Sequence, residues 1–372
     1  MSGQPVVTVV MAAHNAERYV SETIDSILAQ TLSEWELIAI DDGSTDATQE
    51  ILHRYAANDP RIRLIRQNNS GLAASLNTGI AEAKGSYIAR IDADDVAMPH
   101  RLAIQIAWLD AHREVHALGS SAMYLADGIR TTQKITVPTE PSTVELALQR
   151  GNCMIHSTIM MRSDSVRQVG GYRKCFVAGQ DYDLWLRMSE HGKLANLAEP
   201  LIYYRFHAEQ APHRKLSQQV WAVLAAQHSA IKRLASMPDP LDGVDEITHS
   251  TLRKLGLSEL ESDALASAFE SRISTHFLLN QPGQAMDYGT AFAGGVDQQQ
   301  WRRIYKPRLD WQFGKYAWRH RHRFIGMKYA LIAAVAQPSL LLRQPRHLCC
   351  RANAQAALSS HWDNRATLGT GR

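Results

Sequence analysis

The sequence predicts an α/β fold: a mostly parallel sheet flanked by helices, followed by a helical C-terminal region. Three observations predict it. Short apolar, β-branched runs alternate with stretches whose apolar residues recur at helical spacing. The acidic and polar clusters all follow the ends of those runs, where open α/β sheets bind ligands. From Val220 to about Ala293 the periodicity is helical throughout.

The elements follow in order. Val6 to Met11 is a nearly continuous apolar run, as a fully buried strand requires. Val20, Ile24, Ile27 and Leu28 mark a helix. Trp35 to Ile40 is a second strand and ends on Asp41 and Asp42. Thr45 or Asp46 can cap the helix that carries Ile51, Leu52 and Tyr55. Ile62 to Ile65 is a third strand, and Leu72, Leu76 and Ile80 mark the next helix. Tyr87 to Ile91 is a fourth strand that ends on Asp92. Strand–helix alternation of this kind gives a sheet with helices on both faces. From Gln133 to Gly171 the pattern loosens around one apolar stretch, Ile155 to Met161. A helix covers Asp183 to Met188, and Leu201 to Phe206 is a further strand. His207 to Lys215 is polar and contains a proline, a plausible boundary. The expected division is 1–210 for the α/β domain, 211–300 for a helical region and 301–372 for a basic, aromatic-rich tail.

Charge is unevenly placed. The 372 residues carry a net +3, yet 301–372 hold 14 Lys/Arg against two acidic residues, a net +12 that leaves −9 for 1–300. Apolar residues make up 45%, enough for a sizeable core. Cys153, Cys175, Cys349 and Cys350 form no C-x-x-C pair, which reads as a reducing compartment without a disulfide framework. Val6 to Ala13 has no basic segment before it and reads as a strand, not a signal peptide. Tyr329 to Ala336 falls short of the about 20 residues a membrane span needs.

The chemistry-bearing residues sit at the strand ends. His14 and Asn15 follow the first strand, and Asp41 to Asp46 the second. Asn68 to Gly71 follow the third, and Asp92-Ala93-Asp94-Asp95 the fourth. Carboxylates two apart in a tight turn can hold a hard cation against a diphosphate, or can be a solvated turn. An EF-hand is excluded, because its glycine and closing glutamate positions hold Ala97 and Ala103. Asp181, just before an apolar helix, suits a general base or a helix cap.

Together these segments resemble glycosyltransferase family 2, inverting enzymes with a GT-A (Rossmann-like) fold. The resemblance runs from Val6 to about His207. It rests on Asp41 to Asp46, Asn69 to Leu72 with Leu76 to Gly79, and Ile88 to Asp95 with Pro99 and Arg101. It rests also on His156-Ser157 with Met161-Arg162, Asp181 to Arg187, and Tyr204 to His207. The resemblance implies that Asp42 recognises the nucleobase, that Asp92 lies near the ribose and that Asp94 binds the metal, Mg²⁺ or Mn²⁺. Asp181 corresponds to the catalytic base, and His207 resembles a histidine that completes the metal site in some relatives. Two positions depart from the family pattern. His14 stands where many relatives stack a tyrosine on the base. Gln180 stands where many have glutamate, leaving Asp181 as the candidate base and Asp183 in reserve.

The implied reaction moves a sugar from a nucleoside-diphosphate donor, taken as UDP-linked, to a saccharide or lipid-linked saccharide acceptor in polysaccharide or glycoconjugate synthesis. Two other classes were weighed. A sugar nucleotidyltransferase should open with a glycine-rich phosphate loop, and Ala12 to Arg18 contain no glycine. A non-catalytic nucleotide-sugar-binding scaffold should have lost Asp94 or Asp181. His112 and His116 stand one helical turn apart, but the glutamate between them is misplaced for H-E-x-x-H. In the tail, Trp311, Phe313, Tyr316 and Trp318 lie among Lys315, Arg319, Arg321 and Arg323. That composition suits an anionic membrane surface or packing on the protein itself; nucleic acid is not expected. The expected location is cytoplasmic, peripheral on the inner face of the plasma membrane.

Overall fold

A computed structural model describes residues 4–126, 128–206, 212–279, 281–293, 296–320 and 323–337. The chain divides into two compact units, Met1–His207 with Ala226–Ile247, and Ala208–Ala225 with Thr248–Arg372.

The first unit opens with the expected alternation: β1 (Val7–Ala13), α1 (Val20–Leu28), β2 (Trp35–Asp42), α2 (Thr48–Asn58), β3 (Ile62–Gln67), α3 (Leu72–Glu82) and β4 (Tyr87–Arg90). β5 (Val96–Ala97), α4 (Arg101–Ala111), β6 (Val115–Ala126), β7 (Ile129–Ile135) and α5 (Pro141–Leu148) follow. A 3-10 turn at His156–Thr158, β8 (Met160–Arg162), α6 (Ser163–Gln168), α7 (Gln180–Ser189) and β9 (Lys193–Phe206) complete the sheet. The strand order is β3-β2-β1-β4-β8-β6-β9-β5, with β7 on β6. The β3-β2-β1-β4 half is parallel, and β6 runs parallel to β9. β8 enters antiparallel between β4 and β6, so the sheet as a whole is mixed.

β2 is buried at every residue and β1 at all but one, which is why both read as mostly apolar runs, interrupted by Thr8 and Glu36, which hydrogen-bond to each other. Val9, Met11, Leu37 and Ala39 meet Val20, Ile24 and Ile27 of α1 in one core. Each fully buried aliphatic side chain contributes about 1.5–3 kcal/mol. The parallel register places Ala13 opposite Asp41, and Asp42 opposite Gln67, so the carboxyl ends of β1, β2 and β3 finish level.

α4 stops at Ala111 and His116 lies on β6, so His112 and His116 do not share a helix face. His112 Nδ1 instead bonds the Trp108 carbonyl at 2.8 Å.

Of α8 (Pro212–Leu234), residues from Ala226 onward belong to the first unit. The second unit contains α9 (His249–Lys254), α10 (Ser258–Leu278), α11 (Pro282–Ala293), α12 (Gln298–Gln300), a π-helical turn at Trp301–Tyr305, α13 (Lys306–Arg319) and α14 (Arg323–Ala336). Phe269 gathers Tyr288, Phe292, Trp301 and Tyr305 around it, with ring centroids 4.5–6.1 Å apart. Phe313 packs on Phe277 and Tyr329, and Tyr316 on Phe277, so these two tail aromatics help build the core of the unit. Trp318, Met327, Leu331 and Ile332 stay exposed. Among the described residues no helix is long and apolar enough to cross a membrane.

Candidate active site

The ends of β1, β2 and β3 form one polar floor. At Gly43 the backbone takes φ +72°, and a Cβ there would lie 2.8 Å from the Asn69 nitrogen. Glycine therefore lets the turn after β2 close against the loop after β3. Asp41 Oδ1 accepts from the Ser44 N–H at 3.0 Å. Asp46 accepts from the Thr48 and Glu17 N–H groups at 3.0 and 3.1 Å, tying the start of α2 to the loop after β1. Asp42 Oδ1 accepts from Gln67 Nε2 at 2.8 Å and the Ser70 N–H at 2.9 Å, and Oδ2 from the Gly71 N–H at 3.0 Å. Burial would raise the Asp42 carboxyl, but hydrogen bonds, those from Ser70 and Gln67 foremost, hold it below its ordinary value. His14 is exposed beside it, with Nδ1 2.9 Å from the Asp42 carbonyl, which fixes that nitrogen as the donor. Asn69 Nδ2 lies 3.4 Å from His14 Nε2.

The acidic turn leaves the end of β4. Buried Arg90 grips both oxygens of Asp92 with its guanidinium, and the Asp92 N–H donates to Ser157 Oγ at 2.8 Å. Arg205, on β9, braces the other side. Its N–H donates to Asp95 Oδ1 at 2.7 Å and its Nε to the Asp94 carbonyl at 2.6 Å. Asp92, Asp94 and Asp95 each present an oxygen, all within 4.8 Å of one another. Burial, then the charges of Asp94 and Asp92, push the Asp95 carboxyl well up, and its buried Oδ2 has no hydrogen-bond partner. Burial also raises Asp92, against the pull of Arg90. Three crowded hard oxygen donors, one of them unsatisfied, fit a divalent Mg²⁺- or Mn²⁺-type cation. Arg101 is turned away from this cluster: it is fully buried and donates to the Arg90 and Ile159 carbonyls at 2.7 and 3.2 Å. His207 lies outside the described residues.

α7 begins three residues earlier than its apolar pattern announces, after Gly179 in the left-handed region at φ +66°. Asp181 is thus in its first turn, half-buried, and Asp181 Oδ2 accepts from Asn152 Nδ2 at 2.6 Å. Burial raises its carboxyl, opposed by the Tyr182 N–H, Asn152 and the Arg90 charge. Arg90 therefore acts on Asp181 and Asp92 alike, so the base candidate and the acidic turn share one electrostatic neighbourhood. Asp183 is different. Its side chain is fully buried, and it pairs with Arg173 and with Arg187 Nε at 3.0 Å. It anchors α7 and offers no free oxygen to a substrate.

Arg90, beside the acidic turn in sequence, was a candidate to salt-bridge it and does so, whereas sequence reasoning missed Asn152 and the Arg173–Asp183–Arg187 network. Asn152 and Arg173 lie 29 and 10 residues from the carboxylates they contact, with no local pattern to announce them. Arg205 was inside a recognised motif, but its hold on Asp94 and Asp95 is a tertiary contact.

Residues 8–170 match the sequence profile of Glycosyl transferase family 2. EpsE of Bacillus subtilis is 38% identical over 226 residues, 59% of this chain and 80% of that one. The O-antigen biosynthesis glycosyltransferase WbnJ of Escherichia coli is 31% identical over 207 residues, 54% of this chain and 80% of that one. Among solved structures, S. aureus TarS 1-349 in complex with UDP-GlcNAc superposes with a TM-score of 0.52 at 16% identity. The match covers 91% of this chain and 93% of that one, and shows a shared GT-A fold.

Proposed function

The chain belongs to glycosyltransferase family 2, and from that premise we propose that it moves a sugar, with inversion, from a UDP-linked donor to a hydroxyl of a saccharide or lipid-linked saccharide acceptor. The observation that carries the reading is the pairing of three clustered carboxylates at the end of β4 with Asp181, whose raised carboxyl feels the same Arg90 charge. The naming of the 31%-identical WbnJ for O-antigen biosynthesis supports placing the reaction in polysaccharide or glycoconjugate assembly.

His14 stacks on the nucleobase and Asp42 accepts a hydrogen bond from it. A carboxylate offers about four acceptor positions, and Asp42 uses three of them on Gln67, Ser70 and Gly71. Asp92 orients the ribose. Asp94, with Asp92 and Asp95, would hold Mg²⁺ or Mn²⁺, and His207 is a further ligand candidate. Such an ion, when bound, neutralises charge building on the leaving diphosphate. Asp181 takes the acceptor proton as the acceptor oxygen attacks the anomeric carbon from the face opposite the diphosphate. The new C–O bond forms, the bond to the diphosphate breaks and the configuration inverts. Base assistance of this kind contributes roughly 10²–10⁴-fold.

The exposed Trp318, Met327, Leu331 and Ile332, in a segment of strongly positive charge, support peripheral docking on an anionic membrane surface.

The test is calorimetric binding of UDP, GDP and dTDP, each with and without Mn²⁺. Metal-dependent binding of UDP that Asp94→Ala abolishes is expected. Absence of binding by all three nucleotides would overturn the reading.

A further inference from the structure

We propose that His156 and Tyr172 are positioning residues for transfer: a hydrogen-bonded pair that holds the base-bearing helix α7 in register with the acidic turn after β4. The proposal rests on the glycosyl-transfer reading above, to which His156 has so far contributed no role.

One short turn touches both halves of the site. Ser157 Oγ accepts the Asp92 N–H at 2.8 Å. Its neighbour His156 reaches the other way, with Nε2 2.8 Å from the Tyr172 hydroxyl. The His156 ring stands edge-on to Trp185 of α7, centroids 6.0 Å apart at 71°. Trp185 is four residues beyond Asp181, on the same face of the helix one turn along, and is fully buried. A continuous path of contacts therefore runs from Asp92 through Ser157, His156 and Trp185 to the helix that carries Asp181.

Tyr172 is the fixed point of that path. Its ring is buried, and Asn77 of α3 clamps its backbone from both sides, accepting from the Tyr172 N–H at 2.8 Å and donating to its carbonyl at 2.7 Å. The clamp needs glycine before it: Gly171 has φ +67°, and a Cβ there would lie 2.4 Å from Asn77 Oδ1.

The chemistry of the pair suits a spacer. Burial, then the Arg90 charge, hold His156 well below its ordinary value, so the imidazole is neutral and Nε2 can accept. Burial pushes the Tyr172 hydroxyl up, so it keeps its proton and donates. A neutral bridge between Asp92 and Asp181 adds no charge to compete with a diphosphate or a cation. Placement of this kind is worth protecting, since a displacement of about 1 Å can cost about 10²-fold in rate.

The experiment uses the full chain with Tyr172→Phe, His156→Leu and His156→Gln. Release of UDP from UDP-glucose, UDP-galactose and their N-acetylamino forms, with water as the hydroxyl that takes the sugar, gives kcat and KM. Amide exchange is followed at Asp92 and along residues 184–188. Tyr172→Phe and His156→Leu should lower kcat about tenfold or more, leave donor KM within about twofold, and speed exchange at both places together. His156→Gln, which keeps an acceptor, should recover much of the loss. Unchanged kcat and exchange in Tyr172→Phe would overturn the proposal. So would a rise in KM without a fall in kcat, which would make Tyr172 a donor ligand. If the wild type releases no UDP from any of these donors, the transfer reading fails, and the paired exchange response still decides whether the bridge couples the two elements.

Discussion

Replacing Asp183 with asparagine separates anchoring from catalysis at the start of α7. The native carboxylate is fully buried and accepts from Arg173 Nε at 3.0 Å, Arg173 Nη2, and Arg187 Nε at 3.0 Å. Removing one partner of a buried ion pair costs about 3–5 kcal/mol. Three features reduce that figure here. Arg173 keeps Asp239 at 2.9 Å, and Ser229, the Leu241 N–H, Arg233 and Arg173 together hold Asp239 at about 2 despite its burial. Arg187 keeps the Val169 and Gly171 carbonyls at 2.5 and 2.6 Å. Asparagine itself retains one acceptor oxygen. The expected loss is therefore about 2–3 kcal/mol, read as a lower urea midpoint at unchanged slope and followed by the fluorescence of buried Trp185. Under native conditions the variant should keep kcat within about tenfold of wild type, because Asp183 is taken up by Arg173 and Arg187 and the proposed base is Asp181. A loss of about 10²-fold or more with an unchanged midpoint would refute the reasoning and make Asp183 the proton acceptor.

Asp181→Asn should lose transfer while keeping metal-dependent UDP binding; retained transfer in a product assay would end the base assignment. Because burial raises Asp181 above its unfolded value, the folded state favours the protonated form, and that contribution is lost as pH rises through the folded pKa. The neutral asparagine should therefore hold or raise the unfolding midpoint at neutral pH, whereas a lowered midpoint would contradict this sign. In the wild type, kcat should fall as pH drops through a value above the usual aspartate figure of about 3.9, and a limb at or below it would argue against Asp181. Gly43→Ala, forced into φ +72° against Asn69, should cost about 1–2 kcal/mol and weaken UDP binding in calorimetry; wild-type values for both would show that the two loops need no such contact. Replacing exposed Trp318, Met327 and Leu331 with serine should release the protein from anionic vesicles in a sedimentation assay, and unchanged binding would remove the membrane reading.

The parallel half of the sheet was legible because β1, β2 and β4 are buried on both faces and spell that burial out as mostly apolar runs. The acidic turn was legible for the same reason, since an apolar strand ending on Asp92 to Asp95 marks its own carboxyl end. β6 was not. Its sequence, Val115 to Ala126, mixes glycine, serines and alanines with little β-propensity, and its burial comes from pairing with β8 and β9. The first part of β9 hid likewise behind Ala195, Asn196 and Pro200. Within the site, single residues at strand ends could be picked out, but Asn152 against Asp181, or Arg205 against Asp95, joins positions 29 and 110 residues apart. Local periodicity carries no record of such pairs.

The Asn77 clamp on Tyr172 also divides the site into positions that tolerate diversity and positions that do not. Any side chain at 171 meets Asn77, and any change at 77 frees the backbone that carries Tyr172. Asn152 and Val177 are exposed; the first touches Asp181 and the second lies four residues before it. A library meant to redirect this enzyme to a different acceptor hydroxyl should hold 77, 171 and 172 constant and randomise 152 and 177, where new shapes would meet an acceptor at the proposed base without loosening the backbone clamp.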